Sequence, residues 1–481
     1  MANLKKNFFF SALLTLANYI FPLITYPYVS RVLGLTGIGV CNFVDSIVNY
    51  FLVFSTMGIA VLGVREIAAA GDDREKRTRT FSDLVALIGL TTLIAAVVLL
   101  GAIFVVPKLF PYRKLLLVSV VKLIAHSLTM EWFYGGIENF KYITDRSIII
   151  KCFYVASIFL FVRTAEDYGV YYILLTATAL ANMLVNVIHS RRYTGFTLKH
   201  VDLKRYALPF FLLGLNYILS SVYSSFNTIF LGFAWGPDEV GKFTTANKVL
   251  LMLIALISAF TTVLLPRMSA VLTDGRREEF LRYVDHAVNT LFLVGIPAVF
   301  IIQTESSDII RIISGAGYEG AAVPMMTIAP MVIIGGLEQI LIIQTMIPLK
   351  MDRRIVINSA IGAGVGLALA LFLIRPMGAM GSAIVWIGSE LAVCIAASAA
   401  VFRKDFITFP TSKVLRLFLL YLPLLGILLF IRYFAGMDQF VLRFAVAGAV
   451  TAVYFIIVSV FIQKDPVVLE GIHWLFGRKR A

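Results

Sequence analysis

Residues 65–80, REIAAAGDDREKRTRT, lead straight into residues 81–106, FSDLVALIGLTTLIAAVVLLGAIFVV, and these two neighbours decide the fold. The second stretch is long enough to cross a hydrocarbon core, which takes about 20 mostly apolar residues. The first carries Arg65, Arg74, Lys76, Arg77 and Arg79, and it separates that run from an earlier apolar run at 39–64. A basic loop between two spans belongs on the cytoplasmic side, because loops rich in Lys and Arg are retained there.

The same alternation continues in both directions. Lys5 and Lys6 precede the first run. Later basic groups are Lys141, Arg146 and Lys151; Arg191, Arg192, Lys199, Lys204 and Arg205; and Arg267, Arg276, Arg277 and Arg282. The last are Lys350, Arg353 and Arg354; Arg403, Lys404, Lys413 and Arg416; and Lys464, Arg478, Lys479 and Arg480. On this reading about 30 of the 42 Lys and Arg fall in every second gap, against about 10 in the gaps between. The chain is expected to thread a membrane many times, with both termini cytoplasmic.

Composition agrees. Of the 481 residues 59% are hydrophobic and 15% charged, and the mean hydropathy is +0.89. These values exclude an ordinary soluble domain. The formal charge of +14 sits mostly in the cytoplasmic loops, where it sets topology and meets anionic headgroups. No basic stripe with interleaved aromatics points to nucleic acid. Cys41, Cys152 and Cys394 lie in or beside separate apolar runs without CxxC spacing, and they read as small buried hydrophobes. Lys5 and Lys6 before an apolar stretch resemble a signal peptide, but no small-residue cleavage site follows; the stretch reads as a retained first helix.

About fourteen spans are expected, at 8–32, 39–64, 81–106, 115–135, 147–163, 170–190, 207–234, 241–265, 286–304, 323–348, 355–374, 381–402, 413–432 and 439–462. Their length favours helices, since barrel strands are about half as long and alternate in polarity. An internal repeat is visible: Gly34, Gly39, Asp45 and Arg65 align without gaps on Gly236, Gly241, Asn247 and Arg267. Six spans separate the copies, so both have the same orientation, as in parallel repeats related by an axis along the membrane normal. The expected architecture is all-α and polytopic, with two pseudo-symmetric six-helix lobes. The N-lobe is 1–206, the C-lobe 207–404, and an extra helix pair with a cytoplasmic tail occupies 405–481.

The stretch Glu131-Trp132-Phe133-Tyr134-Gly135-Gly136-Ile137-Glu138-Asn139-Phe140-Lys141-Tyr142 resembles the fourth-helix exit of polysaccharide repeat-unit flippases. These are the Wzx-type transporters of the multidrug/oligosaccharidyl-lipid/polysaccharide exporter superfamily. Tyr26-Pro27-Tyr28-Val29-Ser30-Arg31-Val32-Leu33-Gly34, then Gly39 and Gly63-Val64-Arg65-Glu66, is similar to the family's start. Ile309-Ile310-Arg311-Ile312-Ile313-Ser314-Gly315 with Tyr318 and Ala321, Gln344-Thr345-Met346-Ile347-Pro348-Leu349, and Gly378-Ala379-Met380-Gly381-Ser382-Ala383 with Glu390 also fit. Gly362, Gly364 and Gly366 depart from it, where the family pattern would place an asparagine-containing helix. The resemblance implies a MATE-like, V-shaped fold. It also implies a substrate: undecaprenyl-pyrophosphate-linked oligosaccharide units, carried to the outer leaflet of the bacterial inner membrane for O-antigen, capsule or another surface glycan.

Ionisable groups inside spans are costly and usually face a bundle interior. Lys122 and Lys248 lie well within spans four and eight, Arg31 closes span one, and Asp45 lies one or two turns into span two, in reach of Arg31 across the hairpin. A pair of Lys122 with Glu131 or another carboxylate, and snorkelling of Arg31 and Lys248, are the bland alternatives. Cations suit a pyrophosphate. Asn18, Tyr26, Tyr28, Asn49, Asn216, Tyr217, Tyr223 and Asn227 are the polar groups suited to sugars, and Glu131, Glu338 and Glu390 are candidates for ion coupling. His126, one turn from Lys122, reads as a core histidine. No Walker motif, metal-ligand spacing or nucleophile elbow is present, so no cofactor, metal or catalytic residue is expected, and the expected energy source is an ion gradient (proton or sodium) or the substrate's own concentration, between which the sequence does not decide. The remaining partners are membrane lipids and a polysaccharide polymerase complex. A cationic-drug exporter on the same fold and a membrane glycan polymerase or ligase are the rival readings; the first wants a carboxylate-lined cavity and the second a large outward loop.

Overall fold

The computed structural model describes residues 2–197, 199, 201–251, 271, 276–402, 409–437 and 439–463. Most of the eighth expected span, Arg267, Arg403, Lys404 and the basic residues from Lys464 onward lie outside the described residues.

Lipid offers the backbone no hydrogen-bond partner, so spanning segments must satisfy their own N–H and C=O groups, and helices do so locally. The chain begins with α1 (Ala2–Thr56), α2 (Ile59–Ala70) and α3 (Arg74–Val105). Next come α4 (Arg113–Ser127), the short α5 (Glu131–Gly136), α6 (Phe140–Phe161) and α7 (Tyr168–Ser190). They are followed by α8 (Leu203–Ser221), α9 (Asn227–Trp235) and α10 over 237–251. The remainder is α11 (Arg277–Ser314), α12 (Ala322–Ile328), α13 (Met331–Gln339), α14 (Asp352–Val401), α15 (Thr411–Tyr433) and α16 (Phe440–Ile456). The decisive basic loop behaves as an N-terminal cap. The Asp73 side chain accepts the N–H groups of Glu75 at 2.9 Å and Lys76 at 3.1 Å, which satisfies two of the donors that a helix start leaves open.

Among the described residues nine helices are long and apolar enough to cross a membrane, or ten if Glu319–Ile328 and Met331–Met346, bent by 44°, count as one span. The sequence suggested about fourteen. Part of the difference is that two of the helices each contain a break: α1 at Gly34 and α14 at Gly378, both with positive φ. In addition α6, which carries Lys141, Asp145, Arg146 and Lys151, is not among the nine.

The chain divides into two compact units. The first comprises Met1–Thr245, Ser314–Tyr318 and Val356–Ser389, and the second Ala246–Ile313, Glu319–Ile355 and Glu390–Ala481. In the first unit, Leu62, Ile67, Phe81, Leu84, Trp132, Phe133 and Phe210 form one packed cluster. Leu93, Ile94, Val97, Val98 and Phe104 on α3 stay exposed, as suits a face turned to lipid. In the second unit, α15 and α16 dock on α11 through Leu293, Ile296, Phe300, Leu417, Tyr421, Leu424 and Ala447. A charged clamp sits beside this seam. Arg443 donates to Asp308 at 2.7 Å from both Nε and Nη2, and Arg432 approaches Glu305 at 3.6 Å and Asp308 at 3.1 Å.

The repeat has a geometric signature inside the first unit. Gly34 (φ 68, ψ 177) and Gly236 (φ 89, ψ −172) adopt the same backbone conformation, one that side-chain-bearing residues avoid. Thr36 Oγ1 donates to Asp238 at 2.7 Å and Asn42 Nδ2 to Thr244 at 2.7 Å, each pair 202 residues apart. Residues that touch their own repeat partners lie on the pseudo-twofold axis. The backbones meet there: a Cβ on Gly39 would lie 1.9 Å from the Pro237 carbonyl oxygen, and one on Gly241 would lie 2.6 Å from that of Leu35.

Candidate functional site

Two polar clusters lie in the first unit, with Lys122 and His126 on α4 and Lys151 on α6 among their members. Lys122 on α4 donates to Asp45 Oδ1 on the second half of α1. Tyr172 from α7 donates to the same oxygen at 3.3 Å, and its ring centroid lies 5.3 Å from Lys122 Nζ. The carboxylate that the sequence offered to Arg31 is thus taken by Lys122. Lys122 takes the carboxylate pairing that the sequence left open as its alternative, with Asp45 rather than Glu131 as the partner. Arg31 instead packs along Gly315, where a Cβ would lie 3.0 Å from Arg31 Cγ.

The second cluster lines a cavity of about 450 Å³. Asn18, His126, Glu131, Trp132, Lys151, Asn182 and Tyr217 contribute its polar and aromatic wall, and Leu52, Val53, Met57 and Ile59 its apolar wall. Lys151 Nζ donates to Asn18 Oδ1 and lies 5.9 Å from the Phe21 ring centroid. Among the described residues no carboxylate pairs with it. Glu131 accepts from Arg146 Nη2 at 2.7 Å, so Arg146 is a buried partner rather than a cytoplasmic anchor. His126 is exposed and lines the cavity, not the core position expected of it.

Lys151 was missed because the sequence reading began its span at 147, which left the lysine at the edge. The helix begins at Phe140 behind Asn139, whose side chain accepts the Tyr142 N–H at 3.4 Å. That places Lys151 roughly 16 Å of helical rise into α6. The cap-forming Asn139 was the available signal.

The other sequence candidates separate. Tyr26 is buried, with its hydroxyl 2.7 Å from Thr245 Oγ1, and Tyr28 donates to the Val162 carbonyl at 2.8 Å. Asn227 donates to the Ser382 carbonyl at 3.0 Å and Asn216 accepts from Ser359 at 2.5 Å. Tyr223 is buried and donates to Ser220 Oγ at 3.3 Å. The first four of these bonds tie separate helices together, while that of Tyr223 stays within its own helical stretch. Asn18 and Tyr217 reach the cavity, whereas Asn49 is half-buried outside its lining. Lys248 is half-buried on α10 in the second unit. Glu338 and Glu390 meet in that unit with their carboxyls against each other, and Glu390 Oε2 is buried without a hydrogen-bond partner. Of the cysteines, Cys41 and Cys394 are buried as expected, and Cys152 is exposed.

The sequence model of the family described as polysaccharide biosynthesis protein matches residues 4–272. A protein of Escherichia coli (strain K12) named "Putative O-antigen transporter" is 27% identical over 398 residues, covering 81% of this chain and 95% of that protein. One of the same name from Shigella flexneri is 24% identical over 382 residues, covering 75% and 88%. Among solved structures, the lipid II flippase MurJ in its inward closed conformation is similar with a TM-score of 0.78 at 16% identity, covering 96% of this chain and all of that one (100%). An inward-facing multidrug resistance MATE family transporter of the MOP superfamily is similar with a TM-score of 0.60 at 15% identity, covering 84% and 98%. The fold is therefore the all-α, MATE-like polytopic membrane fold.

Proposed function

The chain belongs to the polysaccharide biosynthesis protein family, and from that premise we propose that it is a flippase for undecaprenyl-pyrophosphate-linked oligosaccharide repeat units. It carries them from the cytoplasmic to the outer leaflet of the bacterial inner membrane, for O-antigen or capsule assembly. The observation that carries this reading is the cavity of about 450 Å³ within a membrane-helix bundle, walled by amides, tyrosine, tryptophan and a lysine on one side and apolar residues on the other. An anionic, hydroxyl-rich head cannot cross hydrocarbon alone, since each unpaired hydroxyl or amide costs about 2–7 kcal/mol and a charge far more. A polar cavity removes most of that cost, while the polyprenyl tail remains in lipid. Relatives named as O-antigen transporters support the substrate class, and likeness to a lipid II flippase supports the fold it requires.

Transport is by alternating access between an N-lobe and a C-lobe, with the helices of 405–481 as an added pair and both termini cytoplasmic. The Glu338–Glu390 pair supports coupling to a proton or sodium gradient, because two carboxyls side by side in an apolar setting call for a proton or cation between them. Neither rival reading gains support. A cationic-drug exporter would want carboxylates free to face the cavity, and Glu131, the one that lines it, is bound to Arg146.

Deletion of the gene tests the function. Lipid-linked repeat units should accumulate in the inner leaflet, and surface glycan should fall. Normal surface glycan with no accumulated intermediate would exclude the flippase.

A further inference from the structure

We propose that Lys151 is the group that receives the lipid's diphosphate; the proposal rests on the flippase reading above. Lys151 stands about eleven residues into α6 and about ten from its far end at Phe161, half-buried where the helix lines the cavity.

A half-buried cation is expensive unless something partners it. Among the described residues its partners are a neutral amide oxygen, that of Asn18, and the Phe21 ring. Of the other charged groups near it, Glu131 accepts from Arg146 Nη2 at 2.7 Å, Arg146 Nε and Nη1 are buried without a hydrogen-bond partner among the described residues, and His126 lines the same cavity. With Glu131 and Arg146 cancelling, Lys151 leaves the cavity a net positive charge. A compact ammonium with rotatable donors is a good phosphate ligand.

Trp132, 6% exposed, packs in the apolar cluster beside the cavity and gives it an aromatic wall. The contrast with Lys122 decides between the two lysines: Lys122 already holds a carboxylate, and Lys151 holds none.

The shared chemistry is a phosphate on a lipid, which either a prenyl pyrophosphate or an ordinary phospholipid could supply. The test uses the full-length protein in neutral detergent, titrated calorimetrically with farnesyl pyrophosphate. Wild type should bind saturably, Lys151→Met should weaken binding by about tenfold or more, and Lys151→Arg should stay within about threefold. Asn18→Asp sets a carboxylate against the ammonium and should weaken binding as Lys151→Met does, with Lys151 still present. It decides the matter if Lys151→Met fails to fold. Wild-type affinity in both Lys151→Met and Asn18→Asp would overturn the proposal, as would absence of wild-type binding or full displacement by equimolar phosphatidylglycerol. None of these outcomes touches the flippase reading, which stands or falls on the accumulated intermediates of the deletion strain.

Discussion

Gly39→Ala probes the tightest backbone approach in the first unit. The new Cβ would lie 1.9 Å from the carbonyl oxygen and 2.6 Å from the carbonyl carbon of Pro237, with the Gly241 nitrogen at 3.1 Å. Ordinary contact needs about 3.5 Å, so the helices would have to part by about 1.5 Å. All three atoms belong to the backbone, so no rotamer change relieves the clash. Overpacking costs about 1–3 kcal/mol, and here the upper part of that range applies. Helix propensity returns about 1 kcal/mol in favour of alanine, which leaves a net loss of about 1–2 kcal/mol. Gly241→Ala, whose Cβ would lie 2.6 Å from the Leu35 oxygen, should act in the same direction and less strongly. Gly101→Ala, with nothing within 4 Å, should keep the propensity gain alone. Thermal unfolding of the three purified variants should rank Gly101→Ala at or above wild type, then Gly241→Ala, then Gly39→Ala. A Gly39→Ala protein melting at or above wild type would refute the close crossing.

Lys122→Met alone should cost about 3 kcal/mol, because it strands the Asp45 carboxylate; Lys122→Met with Asp45→Leu should recover most of the loss. Membrane levels and melting of both variants check this, and equal loss in both would show that the pair is not one unit. Arg443→Met should cost about 3 kcal/mol by leaving Asp308 and Glu305 to share Arg432. The test is loss of a designed cysteine crosslink between α11 and α16, and an unchanged crosslink yield would argue against the clamp. Asn186→Leu removes the acceptor of the Tyr142 hydroxyl at 3.1 Å and the donor to the Thr129 carbonyl. About 2 kcal/mol should be lost, again read from melting, and an unchanged melting temperature would show the network to be idle.

The fold was legible because its signals are large and local: apolar runs of membrane length, basic loops at alternate ends, and glycines that recur at one offset. The site was less so. Sequence spacing finds a charge inside a span but not which neighbour neutralises it, and Asp45 reaches Lys122 across 77 residues. Tyr26, Tyr28, Asn216 and Asn227 read as polar groups within spans, yet each one's hydrogen bond ties helices together, a role that composition cannot separate from ligand binding. Lys151 was obscured by an error of a few residues in one helix start, enough to group a cavity-lining cation with the loop residues.

The contacts between repeat partners bear on how such a chain can change. In a dimer of identical subunits a residue on the twofold axis meets its own copy, so an aspartate there faces an aspartate. Thr36 against Asp238 and Asn42 against Thr244 are pairs that no such dimer could hold. Once both halves are encoded in one chain, each side of the axis can be substituted separately. The seam can then become unequal without either half losing its partner, and unequal halves can come to prefer different parts of an asymmetric cargo.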